Sequence, residues 1–528
     1  MKKLISVFLV ISIIFTLCGC SLSGNNITLS AGILDEIKTL DPINATGDGE
    51  KIISANCFEG LLRTDEENRI YLANATSYSI DKTGCIYTFN LNETAQYHVP
   101  STVKATIEAI GLKDFSKKIT AEDYVYGIKR FIASGSDELN FIKGSSSVEE
   151  LNSDAKIGVE AVDDYTLKIT LEKNDPDFLY KLATLPIYPC DQSFYEKAGA
   201  AYGTTPATIL TNGPYYIEEV NQSETILRRC SDYKGLIEVL NKQIVLYTTG
   251  NEKLLKERFE NGSYDIYLAD SFEEISKGTQ SVISETAVWG LAFNCKSKIG
   301  SNATLRDILM KTAKFDSVDT PDFATGKADR IIPKNASIYE SRNADFAAEK
   351  LSYKADAGKA QKLLKALLKK QKAKSFDITF AVPTELSTAA AVMVNNWEIY
   401  LSSGINIKVV PYEREKLQEF ISTTQYDMAI MPVTPEKQTA LSLIEEFYDA
   451  PCYYSNDKLY ASLYQVKVYD ADHFAIYNNA ENTIVKSGVF FPLFYTGKIL
   501  CYADGVKGIY TAENGSLIYF HSGVKAEK

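Results

Sequence analysis

Side chains able to do chemistry are few and far apart in this chain. The three histidines, His98, His473 and His521, lie in three separate regions. Histidine is the commonest general base, so this spacing gives acid–base catalysis little to build on. The GxSxG, HExxH and P-loop patterns do not occur. A Ser–Lys or carboxylate-only enzyme stays open on residue counts alone. Seven cysteines follow Cys20, namely Cys57, Cys85, Cys190, Cys230, Cys295, Cys452 and Cys501, and no two form a CxxC pair. Scarce histidine without CxxC argues against a directly bound transition metal, and no cofactor is expected. A metal carried inside another small molecule stays open. The cysteines read as small buried apolar residues, with disulfides the alternative for up to six of them. Aromatic side chains are abundant, with 33 tyrosines beside Trp289 and Trp397. Binding chemistry is better supplied than catalysis.

The elements that position these residues must form more than one domain. The chain has 528 residues, and domains hold roughly 100–200 residues each, so about three are expected. With 45% apolar and 23% charged residues the composition is that of a globular protein. The net charge of −12 argues against an electrostatic nucleic-acid binder, which needs a concentrated basic surface. Lys2 and Lys3 precede the apolar run Leu4 to Phe15, the layout of a secretory signal. Leu17-Cys18-Gly19-Cys20 follows directly and resembles a bacterial lipobox. Residues 1–19 are therefore expected to be a lipoprotein signal and Cys20 the lipidated residue, with 20–26 a tether to the cell membrane. No later stretch has the ~18 continuous apolar residues of a membrane span. The expected location is extracytoplasmic.

Residues 27–95 read as β-rich, with short apolar runs between turn clusters. Residues 96–120 carry an irregular stretch around Pro100. Thr120-Ala121-Glu122-Asp123 is a capping-box-like helix start, and residues 158–173 read as a hairpin. The C-terminal half alternates differently. A lysine-rich helix over Ala360 to Leu368 precedes a strand over 377–382, a helix over 387–402, a strand over 405–410, a helix over 413–423 and a strand over 426–431. Such alternation predicts a mainly parallel α/β lobe.

Five segments, in order, resemble the extracellular solute-binding proteins of peptide and nickel ABC importers, the oligopeptide-binding group. They are Leu40-Asp41-Pro42, then Phe58-Glu59-Gly60-Leu61, then Thr120 to Arg130. Thr211-Asn212-Gly213-Pro214-Tyr215 with Arg228 to Tyr233 follows, then Phe293-Asn294 with Leu305-Arg306-Asp307. The resemblance implies an α/β, two-lobe periplasmic-binding-protein-like (type II) fold with a ligand cleft between the lobes. It implies a first lobe threaded from residues 27–60, 187–293 and 491–528, an additional subdomain over 61–186, and a second lobe over 294–490. Crossovers near Val288–Asn294 and Phe490–Tyr495 would form the hinge. It also implies a partner set: a peptide-like solute, the subunits of an ABC permease, and the membrane through the anchor, with the protein a monomer. Two segments depart from the pattern. Residues 96–119 form a longer insert without tryptophan. In the second lobe, Glu436 falls where the family's ammonium-pairing acid stands, and Val433 falls where its tryptophan stands.

The expected ligand-binding residues are Glu59, Gly60, Leu61, Tyr215, Trp289 and Glu436, with Tyr216 and Tyr267 as further cleft candidates. Glu59-Gly60-Leu61 is expected to offer a strand edge to a peptide backbone. Trp289 is expected to line the cleft at the first crossover, and Trp397 to pack a helix of the second lobe. A surface lipoprotein that uses the same scaffold for partner binding or signalling is the alternative function.

Overall fold

Alternation in Thr28–Ile33 buries Leu29, Ala31 and Ile33, and this strand seeds the first lobe. It pairs in parallel with Gln243–Thr248 on one side and Ile266–Ala269 on the other. The computed structural model describes residues 26–525 apart from 66–68, 149–150, 152–155, 176, 270–277, 334–335, 339–340, 343–350, 352, 402–403, 423–425, 436–438, 468–471 and 513–516. The expected signal, lipobox and most of the tether lie outside the described residues. No described helix is long and apolar enough to cross a membrane.

One sheet runs through both lobes. Its order is Ile405–Tyr412, Phe376–Pro383, Met428–Val433, Thr279–Phe293, Phe490–Tyr502, Ile266–Ala269, Thr28–Ile33, Gln243–Thr248, Glu224–Arg229 and Tyr215–Val220. The two long strands, Thr279–Phe293 and Phe490–Tyr502, form an antiparallel ribbon at its centre. At one end of the ribbon, Ile499–Tyr502 pairs with Ile266–Ala269 of the first lobe. At the other end, Val288–Phe293 pairs with Met428–Val433 of the second. The ribbon's register shifts between Val282 and Ser284, between Glu285 and Ala287, and between Trp289 and Gly290. Bulges bend and twist a strand pair, so the ribbon turns where it passes between lobes. At Gly497 an added Cβ would lie 1.8 Å from the Ser284 carbonyl oxygen, so only glycine lets the two strands close there.

Each lobe has its own core. Leu29, Ile52, Tyr215, Leu227, Ile244 and Phe520 pack the first. Phe89, Tyr124, Ile128, Leu167 and Phe178 fill a second cluster. It lies under the four-stranded sheet of Ala75–Ile80, Ile86–Leu91, Thr166–Thr170 and Val159–Asp163, where helix Ala121–Ala133 covers it. In the second lobe, Trp397 packs on Phe380 at 5.5 Å between ring centres, with its indole N–H donating to Leu309 O at 2.9 Å. The expected alternation is present there, with Phe376–Pro383 parallel to both Ile405–Tyr412 and Met428–Val433. The helix read over 413–423 is a 3-10 turn, Arg414–Lys416, followed by the short helix Leu417–Ser422.

Two helices depart from the sequence reading. Asp48–Cys57 interrupts the β-rich start. Its first turn is held by Glu50, whose carboxylate accepts from the backbone N–H groups of Lys38, Thr46 and Gly47. Ser101–Ala109 is helical directly after Pro100, burying Val103 and Ile107.

Candidate functional site

The segment Phe58 to Leu61 leaves helix Asp48–Cys57 and enters the added subdomain. Phe58 packs in the first-lobe core and Leu61 in the subdomain core. The Glu59 carbonyl accepts from Asn212 Nδ2 at 2.8 Å. Gly60 O accepts from Asn74 N at 3.0 Å, and Leu61 O accepts from Ala73 N and Ala75 N. These carbonyls are already bonded inside the protein, so the expected open strand edge at Glu59-Gly60-Leu61 is instead a joint between two cores. Gly60 fits this crowding, since an added Cβ would lie 3.2 Å from Ile187 O.

The Glu59 carboxyl is also buried, and Tyr233 donates to it at 2.8 Å. Burial pushes its pKa up to about 7, against the Tyr233 hydrogen bond and the Arg63 charge that pull it down. The folded state then holds the proton more tightly than the unfolded chain does. Its stabilising contribution is fully present below the unfolded value near 4.5 and fades as pH rises through about 7. Glu59→Gln should remove this fade. It is expected to raise stability relative to the parent by about 3 kcal/mol at about pH 8, with little change at about pH 4. Urea unfolding of both proteins across this range checks it, and parallel pH profiles would contradict it.

Tyr215 and Trp289 also differ from expectation. Tyr215 is fully buried, its hydroxyl donating to Asn241 Oδ1 at 2.7 Å, while Asn241 Nδ2 donates to Phe520 O and Gly523 O. Its surface is used in tying down the C-terminal segment. Trp289 does sit on the ribbon, but it is buried in the second-lobe core, stacked on Phe494 with Phe323 edge-on. Its indole N–H donates to Thr496 Oγ1 at 3.0 Å across the ribbon. Tyr267 is buried and Tyr216 half-buried. The histidines stay apart: His473 Nε2 meets Val466 O, and His521 Nε2 meets Tyr510 Oη.

Glu436 lies outside the described residues. Its neighbours Pro435 and Thr439 pack near Thr286, Ala287 and Val288 of the ribbon around a crevice too small to hold a water. On the first-lobe side of the same ribbon stands a pocket of about 150 Å³, lined by Gly32 to Asp35, Asp48, Glu252, Tyr267 and Lys498. Lys498 is paired with Ser284, two residues from Thr286, so the pocket lies beside the bulged part of the ribbon. Asp35, Asp48 and Glu252 make the pocket acidic and suited to a cationic group, while Ile33, Ile52 and Leu255 line it with apolar surface. Sequence reasoning missed Asp35, Asp48, Glu252 and Lys498. A signal was available: Ile33 to Asp35 and Leu268 to Ala269 are the carboxyl ends of parallel strands, where open α/β sheets bind ligands.

The family description "Bacterial extracellular solute-binding proteins, family 5 Middle" matches residues 69–454. The dipeptide-binding protein of Lactococcus lactis subsp. cremoris is 24% identical, over 76% of this chain and 75% of that protein. The periplasmic oligopeptide-binding protein OppA of Salmonella typhimurium is 24% identical, over 87% and 85%. Among solved structures, the unliganded open form of MppA, a periplasmic murein tripeptide binding protein, superposes with a TM-score of 0.76 at 19% identity, covering 95% of this chain and 98% of that one. DppA of Helicobacter pylori in complex with the peptide STSA gives 0.60 at 17% identity, covering 95% and 99%.

Proposed function

The chain belongs to the bacterial extracellular solute-binding proteins, family 5, and from that premise we propose that it is the lipid-anchored substrate-binding component of an ABC importer. It captures oligopeptide-like solutes between its lobes and delivers them to the permease. The observation that carries this reading is the pocket beside the bulged ribbon that joins the two lobes. A solute held there and reached by the second lobe draws the lobes together by bending the ribbon, the hinge type of domain closure. We retain residues 27–60, 187–293 and 491–528 as the first lobe, 61–186 as its subdomain and 294–490 as the second lobe. Cys20 is the lipidated residue, and the protein acts as a monomer.

Glu436 pairs with the solute's terminal ammonium from the second-lobe side. A hydrogen bond to a charged group contributes about 1.5–3 kcal/mol. Glu436→Gln is therefore expected to weaken affinity for free-amino peptides about tenfold to a hundredfold. N-acetylated peptides should bind the parent and the variant alike. Calorimetric titration measures both, and equal affinities of parent and variant for free-amino peptides would remove this assignment. The second reading, a surface lipoprotein that binds partners without transport, draws on Val433. It is buried at the end of Met428–Val433, at the position where the family pattern has a tryptophan. Uptake of a peptide by cells, lost on deleting this chain, separates the two.

A further inference from the structure

Among the described residues, His98, Cys230 and Asp232 are the one group of three whose ligand-type atoms converge, all within 4.8 Å of one another. His98 comes from the 96–119 stretch, and Cys230 and Asp232 from the turn after strand Glu224–Arg229. Cys230 Sγ stands 2.7 Å from His98 Nδ1 and 2.6 Å from Asp232 Oδ1. Contacts of Cys85, Cys190, Cys295, Cys452 and Cys501 to nitrogen or oxygen run from 3.6 to 4.0 Å. One thiol proton can serve only one of the two acceptors beside Cys230. A cation in its place can be ligated by all three groups at once.

The surroundings orient the three groups as ligands. His98 Nε2 donates to Gly213 O at 2.5 Å, which leaves the Nδ1 lone pair facing the sulfur. Gln96 Nε2 donates to Asp232 Oδ2 at 3.3 Å, which leaves Oδ1 facing inward. The same contacts argue against a thiol nucleophile with a relay. The far imidazole nitrogen is held by a backbone carbonyl, and Asp232 touches the sulfur instead of orienting the ring.

We propose that His98 Nδ1, Cys230 Sγ and Asp232 Oδ1 bind a divalent cation of the zinc class, with a fourth position open to water. Imidazole, thiolate and carboxylate together are ligands that zinc takes in tetrahedral geometry. Binding releases the Cys230 thiol proton to solvent. Ordinary zinc bond lengths space such ligand atoms by roughly 3.3–3.6 Å. The His98–Asp232 separation of 3.7 Å already fits. Cys230 Sγ moves outward by about 0.9 Å as the ion seats. The Asp232 side chain is 47% exposed and gives the ion an entrance. Lys117 acts electrostatically on both His98 and Asp232 and opposes the cation. The ion would fasten the insert to the first lobe, where His98 N already donates to Thr211 O at 2.8 Å.

The test titrates the full chain, reduced, stripped of metal and held in detergent, with cobalt(II). One equivalent should bind with an intense thiolate-to-cobalt charge-transfer absorption, and zinc(II) should displace it. Gln96→Ala should keep the band and weaken binding about tenfold. Cys230→Ser should abolish the band. No saturable band in the parent, or the same band in Cys230→Ser, would overturn the proposal. Should Cys230→Ser not fold, Asp232→Asn replaces it, at a side chain that is half-exposed. It should keep the band with at least about tenfold weaker binding, and unchanged affinity would overturn the proposal.

Discussion

Arg130→Met is expected to destabilise the protein by about 4 kcal/mol, the cost of leaving a buried carboxylate without its cation. Arg130 Nη2 lies 2.7 Å from Asp41 Oδ2, and each side chain is only 7% exposed. The guanidinium is stacked against Tyr195 and Tyr202, with centroids 4.1 and 4.9 Å away. Methionine would fill much of the volume but leave the Asp41 charge with only local donors such as Asn44 Nδ2. The double variant Arg130→Met with Asp41→Asn should recover most of the loss, because both charges are then gone. Urea unfolding of the four proteins gives the coupling directly. A single variant within about 1 kcal/mol of the parent would show that the pair is dispensable.

Arg330→Met should cost about 3 kcal/mol for the same reason in the second lobe. Glu481 on helix His473–Lys486 is fully buried and pairs with Arg330. The smaller expected loss reflects two closer donors that stay in place: the backbone N–H groups of Ile331 and Ile332 reach Glu481 Oε1 at 3.0 and 2.8 Å, against 3.4 and 3.1 Å for the Ile43 N–H and Asn44 Nδ2 on Asp41. The pair pins a segment that touches the ribbon, since Gly326 pairs with Tyr495 and the Tyr495 hydroxyl donates to Arg330 O at 2.9 Å. Faster amide exchange should therefore appear in residues 326–332 and in Leu493 to Tyr495. Loosening confined to the helix would contradict that link.

These ion pairs and the Glu59 joint explain what was legible in the sequence. The segments that carried the resemblance are mostly fastenings between distant parts of the chain. Asp41 meets Arg130, Glu59 meets Asn212 and Tyr233, and Arg306 donates to Gly300 O and Ser487 O. A buried charge or a crowded backbone tolerates few residue types, so such positions form readable motifs. The fold followed from them and from the alternation of strands and helices after residue 376. The pocket was harder to read. Asp35, Asp48, Glu252 and Lys498 come from four separate segments, at strand ends and helix starts, where charged residues are common for other reasons. Helix Asp48–Cys57 was hidden because most of it is buried, so no polar face alternates with an apolar one. Its acidic first turn was the signal that could have marked it. Tyr215 and Trp289 stood in the expected segments but face inward, which neither residue type nor spacing reveals.

The central claim is that one solute bridges the two lobes across the ribbon. Hydrogen exchange of the full chain, with and without saturating short peptides, tests it most directly, since exchange reports local opening segment by segment. Bound peptide should slow exchange in Ile33 to Asp35 of the first lobe and in Pro435 to Thr439 of the second at the same peptide concentration. Protection confined to one lobe, or none with any peptide, would contradict it.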